Sequence, residues 1–302
     1  MVGAGGARGP DGGSAAHYAP VMLRRRGGYL AHVEGGPEPA AELERFGHTV
    51  LRGVVDDEAV GRLRDDMERL FDEFPPTPRI AGVDAAHYAD FRYAALNDSS
   101  EAQAAVAHPR ILDAIEPLLG QDCHVIANTV WRNPAAVEHT HGGGRWHMDA
   151  GPHVPRPADV PWDDRIPYPV FAIGAHLLLR DCPLECGPTG VLSGSHRSGR
   201  TPPADRLDDP ELTYDGERAV ALTGRAGDVA LFVSDAWHRR LPTGDGDTGR
   251  FFLQVHYGRR DLAQRLLPTS ERHHLSEAAV GRATSRRERQ LVGLHDPGFY
   301  DG

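Results

Sequence analysis

Residues 227–238, GDVALFVSDAWH, decide the fold of this chain. The apolar and β-branched run 228–234 is typical of a buried strand, and it carries His238 shortly after its end. The turn-rich cluster 242–249, PTGDGDTG, comes next, and a second strand-like run begins at Arg250. A hairpin across this turn would bring His238 and Arg250 close together at one end of a sheet.

Similar short runs recur through the rest of the chain after Gly120, separated by clusters of Gly, Pro and Asp. They lie at 123–131, 170–179, 218–222 and 250–257. Several short strands with few helices between them favour a jelly roll or barrel over a parallel α/β sheet. The Pro- and Asp-rich stretch 151–169 is typical of a long irregular loop that covers a site.

The part before Gly120 has a different texture. Residues 1–40 are rich in Gly, Ala and Pro and bury too little apolar surface to offset the entropy of ordering, so we expect a disordered leader. Residues 41–302 are predicted to form one domain. Asp56 is positioned to cap a helix, and a second helical stretch is predicted from about residue 99 to Gly120.

Composition excludes several functional classes. The chain has 302 residues and a formal charge of −10, and all 33 basic residues are arginines, so nothing favours a nucleic-acid partner. Because lysine is absent, Schiff-base enzymes, P-loop nucleotide binders and protein kinases are excluded. Three sparse cysteines and the lack of a signal-peptide or membrane-spanning apolar run predict a cytoplasmic protein without a membrane partner.

A metal site is suggested by His147 and Asp149. The two residues are separated by one position, so in an extended segment both side chains point to the same side. With His238 they provide two histidines and one carboxylate, the ligand set of non-heme Fe(II) oxygenases, which leaves positions open for a co-substrate and O2. Arg250 would match the distal carboxylate of a chelating dicarboxylate such as 2-oxoglutarate.

Other histidines have plainer interpretations. His139 and His141 lie before three glycines and are alternative ligands, although a flexible loop without a metal role is the simpler expectation. His196 resembles a catalytic residue by type, but a hydrogen bond that caps a turn at the end of a loop is the favoured explanation. Cys182 and Cys186 are expected to be reduced, buried thiols.

The chain also resembles the bacterial branch of the phytanoyl-CoA dioxygenase (PhyH) family. Besides the residues above, the resemblance is carried by segment 186–197, CGPTGVLSGSHR, and by 287–294, RERQLVGL. It implies a double-stranded β-helix, or cupin-like jelly roll, with helices packed outside it. It further implies iron on His147, Asp149 and His238 and 2-oxoglutarate on Arg250, with Asn128 and His176 lining the co-substrate pocket.

The predicted function is therefore that of an Fe(II)/2-oxoglutarate-dependent dioxygenase acting on a small molecule. Halogenating members of the family replace the ligand carboxylate, so the presence of Asp149 favours hydroxylation of an unactivated C–H bond. We expect a bacterial secondary metabolite or its precursor as the substrate, and the oligomeric state is left open. Two alternatives remain at this stage: a cupin-like isomerase or hydrolase that does not use 2-oxoglutarate, and a non-catalytic jelly-roll binding protein.

Overall fold

The structure is a computed structural model that describes residues 24–26, 29–31, 39–76, 82–135, 144–264 and 275–297. Seven α-helices lie in these residues: α1 Pro39–Phe46, α2 Asp57–Glu73, α3 Ala95–Asp98, α4 Ser100–Val106, α5 Pro109–Leu119, α6 Glu277–Arg282 and α7 Arg286–Leu291. The strands are β1 Arg24–Arg26, β2 Tyr29–Ala31, β3 His48–Leu51, β4 Phe91–Tyr93, β5 His124–Asn133, β6 Ala172–Leu178, β7 Thr189–Val191, β8 Val220–Ala221, β9 Val229–Val233, β10 His238–Arg240 and β11 Arg250–Gly258.

The strands form two sheets that pack face to face. The larger sheet has the order β3-β9-β6-β11-β5-β4 and is antiparallel at every pairing, whereas the smaller sheet has the order β1-β2-β8-β7-β10. Val50, Ala230 and Phe232 of the larger sheet share one buried cluster with Val191 and Val220 of the smaller sheet. This contact between the inner faces makes the domain a jelly roll, as the spacing of strand-like runs predicts.

The helices cover the outer face of the larger sheet. Asp56 caps α2 by accepting a hydrogen bond from the backbone N–H of Ala59, and the apolar residues of α2 recur at helical spacing. These residues join the outward-facing residues of β5 and β11 in the main core of the domain. The second predicted helical stretch is divided in two, because Pro109 begins α5 and His108 caps it.

The predicted hairpin between the strand of His238 and the strand of Arg250 is wrong. The chain turns between Val233 and His238, so that β9 lies in the larger sheet and β10 in the smaller one. Strand β10 pairs with β7, whereas β11 lies between β5 and β6. His238 and Arg250 therefore belong to different sheets of the sandwich.

The disordered leader over residues 1–40 stays a prediction, because most of these residues lie outside the described ranges. Of the described ones, β1 and β2 pair with each other, and β2 lies parallel to β8 in the smaller sheet. Helix α1 already begins at Pro39, and the division of the chain at residue 40 stays a prediction. Loop 151–169 contains neither helix nor strand, as expected. Among the described residues, no helix has the length and apolar character needed to span a membrane.

Candidate metal centre

Three predicted ligands meet at the open end of the sandwich. His147 exchanges two backbone hydrogen bonds of 3.0 Å with His238, which fixes the first histidine beside β10. The backbone N–H of Asp149 donates to the carbonyl of Ser234, at the turn between β9 and β10. These backbone hydrogen bonds to the turn between β9 and β10 thus bring His147 and Asp149 next to His238, about ninety positions further along the chain.

The ligand atoms of His147, Asp149 and His238 all lie within 4.8 Å of one another. Nε2 of His147 is 3.9 Å from Oδ1 of Asp149, and Nε2 of His238 is 3.5 Å from Oδ2 of the same carboxylate. Each imidazole donates its Nδ1–H to a backbone carbonyl, at 2.7 Å in His147 and 2.9 Å in His238. Because a carbonyl only accepts, both Nε2 atoms keep a lone pair for a metal.

The electrostatics of the centre favour an ionised carboxylate. Burial acts to raise the pKa of Asp149, but the imidazoles of His238 and His256 and a hydrogen bond to His238 outweigh it, so the pKa lies well below its ordinary value. His147 is the most accessible of the three ligands, with 39% of its side chain exposed, whereas His238 is buried. The centre therefore opens to solvent on the side of His147.

Arg250 is buried deeper between the two sheets. Its Nε and Nη2 donate to Oδ1 of Asn133 at 3.1 and 2.9 Å, and its guanidinium lies 5.1 Å from the ring centroid of Phe252. Burial, followed by the charge of Arg240, lowers the pKa of Arg250 to about 9, which leaves the guanidinium charged at neutral pH. It supplies a fixed positive charge in a low-dielectric interior.

His176 lies on the inner face of β6. Its ring packs 4.4 Å from that of Phe252, and its Nδ1 is 3.1 Å from Oγ1 of Thr189. Nε2 is buried and has no hydrogen-bond partner among the described residues. Burial and the charge of Arg250 hold the pKa of His176 well below its ordinary value, so the ring is neutral. We call the space lined by His176, Phe252 and Arg250 the chamber. A polar ligand bound in the chamber would satisfy Nε2 of His176.

Asn128, the sixth predicted site residue, is not brought to this chamber. It pairs with Val255 on β11 and shares the outer face of the sheet, where Oδ1 accepts a hydrogen bond from the backbone N–H of Leu96. The inner face of β5 carries the alternate positions Thr129, Trp131 and Asn133. Asn128 therefore does not line the chamber, whereas Thr129, one residue further along the strand, projects to the inner face.

Polar side chains link β5 and β11 beside the three candidate ligands. The indole Nε1 of Trp131 donates to Oε1 of Gln254 at 2.6 Å, which leaves the amide Nε2 to donate to Nε2 of His256 at 2.9 Å. Nε2 of His256 is 3.7 Å from Oδ2 of Asp149. Alternation from Arg250 predicts that Gln254 and His256 face inward, but only the fold shows that they end beside the metal ligands.

The remaining candidates have structural roles or lie outside the described residues. His139 and His141 lie outside the described residues. His196 is buried and donates from Nε2 to the carbonyl of Glu44, which ties segment 186–197 to α1. Cys182 and Cys186 are free, buried thiols, as expected.

Loop 151–169 is anchored next to the metal centre. The buried carboxylate of Asp235 accepts hydrogen bonds from the backbone N–H and Nδ1 of His153 and from the hydroxyl of Tyr168. Asp235 lies in the same turn that supports Asp149, three residues before His238. Both ends of the loop are thus attached to the turn that positions two of the ligands.

Solved structures share this architecture. The epimerase SnoN, crystallised with Fe3+, alpha ketoglutarate and nogalamycin RO, is 22% identical, with 75% of this chain and 84% of that chain covered and a TM-score of 0.55. The alpha ketoglutarate-dependent carbocyclase SnoK from nogalamycin biosynthesis is 20% identical, with 79% and 88% covered and a TM-score of 0.56. At these identities the likeness establishes the fold, and it confirms the predicted jelly roll.

The fold and the set of candidate metal-binding atoms together define a class of protein. A jelly roll that brings two imidazole nitrogens and one carboxylate to a point is a scaffold for a non-heme iron centre with open positions. The family profile described as phytanoyl-CoA dioxygenase (PhyH) matches residues 43–242, and the chain belongs to this family. It is accordingly a non-heme iron, 2-oxoglutarate-dependent oxygenase, as the sequence predicts.

The residues of this site fit both groups that the family requires, a metal ion and 2-oxoglutarate. Two imidazoles with free Nε2 lone pairs and an ionised carboxylate suit a divalent first-row metal. Buried Arg250 suits a carboxylate, and the unsatisfied Nε2 of His176 lies in the same chamber. The donor set therefore agrees with the chemistry of iron and a 2-oxo diacid.

Proposed function

We propose that His147, Asp149 and His238 bind Fe(II), and that Arg250 binds the distal carboxylate of 2-oxoglutarate. The observation that carries this proposal is the convergence of the three ligand atoms within 4.8 Å, with both imidazoles oriented by carbonyls. Arg250 adds a buried cation to these three ligands, on the inner face of β11 in the larger sheet. His176 and Phe252 line the space beside Arg250.

The reaction proposed is hydroxylation of a small molecule. Iron held by His147, Asp149 and His238 would supply the activation of O2, with one oxygen atom ending in succinate as 2-oxoglutarate loses CO2 and the other in the hydroxyl group of the product. The protein's own residues hold the ligands in one tautomer, orient the co-substrate through Arg250 and exclude water with Phe252 and Trp131. Asp149 supports hydroxylation over halogenation because it retains the carboxylate ligand.

The substrate is proposed to be a secondary metabolite or its precursor. SnoN was crystallised with nogalamycin RO, and SnoK takes part in nogalamycin biosynthesis, so this fold accommodates enzymes of secondary metabolism. The side of the centre near His147 is accessible, and loop 151–169 is attached beside it. A small molecule would enter there, between the loop and the ligands.

We further infer that the protein works in a reducing compartment, the cytoplasm. Its three cysteines are buried and free of disulfides, and burial raises the pKa of the Cys123 and Cys182 thiols to about 11. Such thiols are poorly reactive and need no oxidising environment.

Anaerobic titration with Fe(II) and 2-oxoglutarate tests the assignment. We expect a visible charge-transfer band that requires both additions and that disappears in His147→Ala. His108→Ala, in a helix cap on the outer face, is the matched control and should keep the band. A normal band in His147→Ala refutes the ligand assignment. Metal binding without any effect of 2-oxoglutarate would favour the cupin-like alternative, and binding of neither would favour a non-catalytic protein.

A further inference from the structure

A second arginine, Arg240, is buried near the chamber that holds Arg250. Only 5% of its side chain is exposed, and its Nε and Nη1 have no hydrogen-bond partner among the described residues. Nη2 donates to the carbonyl of Cys186 at 3.3 Å and lies 4.0 Å from Oδ2 of Asp247. Two of the three guanidinium nitrogens are therefore buried without an acceptor, which is costly for a charged group.

The position of Arg240 relates it to the proposed co-substrate site. It lies two residues after His238 on β10, so both side chains project from the same face of the strand. It pairs across the sheet with Thr189, whose hydroxyl bonds Nδ1 of His176. His176 in turn packs against Phe252, over which the guanidinium of Arg250 lies. A continuous set of contacts thus connects the two arginines.

The two guanidinium groups also interact through charge. Of the charged groups around Arg250, Arg240 has the largest effect on its pKa, and the charge of Arg240 adds to burial in lowering that pKa. Asp247 and Asp90 both oppose this effect, and each acts on both arginines. A carboxylate bound beside the two guanidinium groups would supply acceptors for the unpartnered Nε and Nη1 of Arg240.

We propose that Arg240 is a second guanidinium for the distal carboxylate of the 2-oxo diacid, acting together with Arg250. This inference rests on the proposed function and deepens it. Two cations discriminate a diacid from a 2-oxo monoacid more strongly than one does, because the charge of the distal carboxylate is the difference that they recognise. Arg240 is thus a specificity-determining residue for the co-substrate.

A purely structural role is the rival interpretation. In that case Arg240 would only connect Cys186 and Asp247 and stabilise the corner where β7, β10 and β11 meet. The two roles differ in which ligand they affect. A residue that contacts the distal carboxylate influences 2-oxoglutarate only, whereas a residue that maintains the corner influences every 2-oxo acid to the same extent.

The test compares 2-oxoglutarate with 2-oxopentanoate, which has the same chain length but lacks the distal carboxylate. Dissociation constants of both are measured anaerobically by titration of the Fe(II) enzyme. In Arg240→Gln we expect affinity for 2-oxoglutarate to fall about 10- to 100-fold, as for loss of a charge-assisted hydrogen bond, and affinity for 2-oxopentanoate to stay within about twofold. Arg239→Gln is the matched control, because Arg239 projects to the other face of β10, near Trp146, and should change neither constant.

Each other outcome overturns the proposal in a distinct way. Equal weakening of both acids would establish the structural role, and an unchanged constant for 2-oxoglutarate would exclude any contact. A native enzyme that binds Fe(II) but neither acid would overturn the proposed function as well. If Arg240→Gln does not fold, Arg240→Lys retains the charge without the planar fork, and a selective loss of about three- to tenfold for 2-oxoglutarate is expected.

Discussion

Arg250 donates two hydrogen bonds, from Nε and Nη2, to the same side-chain oxygen of Asn133. The two residues are also paired directly across β11 and β5. The amide nitrogen of Asn133 donates to Oδ2 of Asp90 at 3.1 Å, which fixes which end of the amide faces the guanidinium. A chain of three side chains therefore sets the orientation of the cation proposed to bind the co-substrate.

Asn133→Ala is expected to weaken 2-oxoglutarate binding about tenfold, because the guanidinium loses the acceptor that orients it. Fe(II) affinity should not change, since Asn133 contacts none of the three metal ligands. Anaerobic titrations of metal and co-substrate measure the two effects separately. Asn97→Ala removes an acceptor on the helical side of the domain and is the control. Equal losses of metal and co-substrate affinity would contradict the positioning role.

The convergence of His147, Asp149 and His238 was predictable because its signals are local. Alternation places His147 and Asp149 on one side of an extended segment, and an apolar run leads to His238. The placement of His238 and Arg250 in different sheets was not predictable, since it depends on the change of sheet between β9 and β10. No local preference of residues 234–237 distinguishes a crossing between sheets from the continuation of one strand.

Asn128 and Asn133 illustrate the limit of periodicity. Both lie on β5, and their spacing of five residues places them on opposite faces. Polar residues occur on both faces of this strand, so hydrophobic alternation does not reveal which face points inward. The pairing of Asn133 with Arg250 settles the question, and that pairing joins residues more than one hundred positions apart.

Tyr168→Phe is expected to loosen loop 151–169. The variant loses the hydrogen bond of 2.9 Å from the hydroxyl to Asp235, which should lower the free energy of unfolding by about 1.5–3 kcal/mol. Cleavage within the loop during limited proteolysis should accelerate, while Fe(II) affinity is retained. Tyr257→Phe loses a comparable buried hydrogen bond, to the carbonyl of Val106, far from the loop. If both variants are cleaved at the same rate, Tyr168 does not anchor the loop.

His196 makes stability depend on pH. Burial lowers its pKa from 6.5 to about 4 in the folded protein, so between these pH values the unfolded chain binds a proton that the folded chain does not. Stability from this group is complete above pH 6.5 and declines by about 3 kcal/mol as the pH falls to 4. Urea unfolding of the native protein and of His196→Gln at several pH values gives the free energy of unfolding of each. The difference between the two free energies should shrink towards acid pH. Parallel profiles would mean that His196 titrates normally in the fold.

Gly227 tests how the turn before β9 is built. Its φ is +87°, and a Cβ at this position would lie 2.2 Å from the carbonyl oxygen of Val55, whose backbone N–H donates to the carbonyl of Gly227. Gly227→Ala should therefore combine left-handed strain with a backbone clash and lower the free energy of unfolding by more than about 3 kcal/mol. Gly216 has a φ of +80° but open space around the position of a Cβ, so Gly216→Ala carries the strain alone, about 1–2 kcal/mol. Chemical unfolding of both variants separates the two effects, and equal losses would show that the contact with Val55 relaxes without cost.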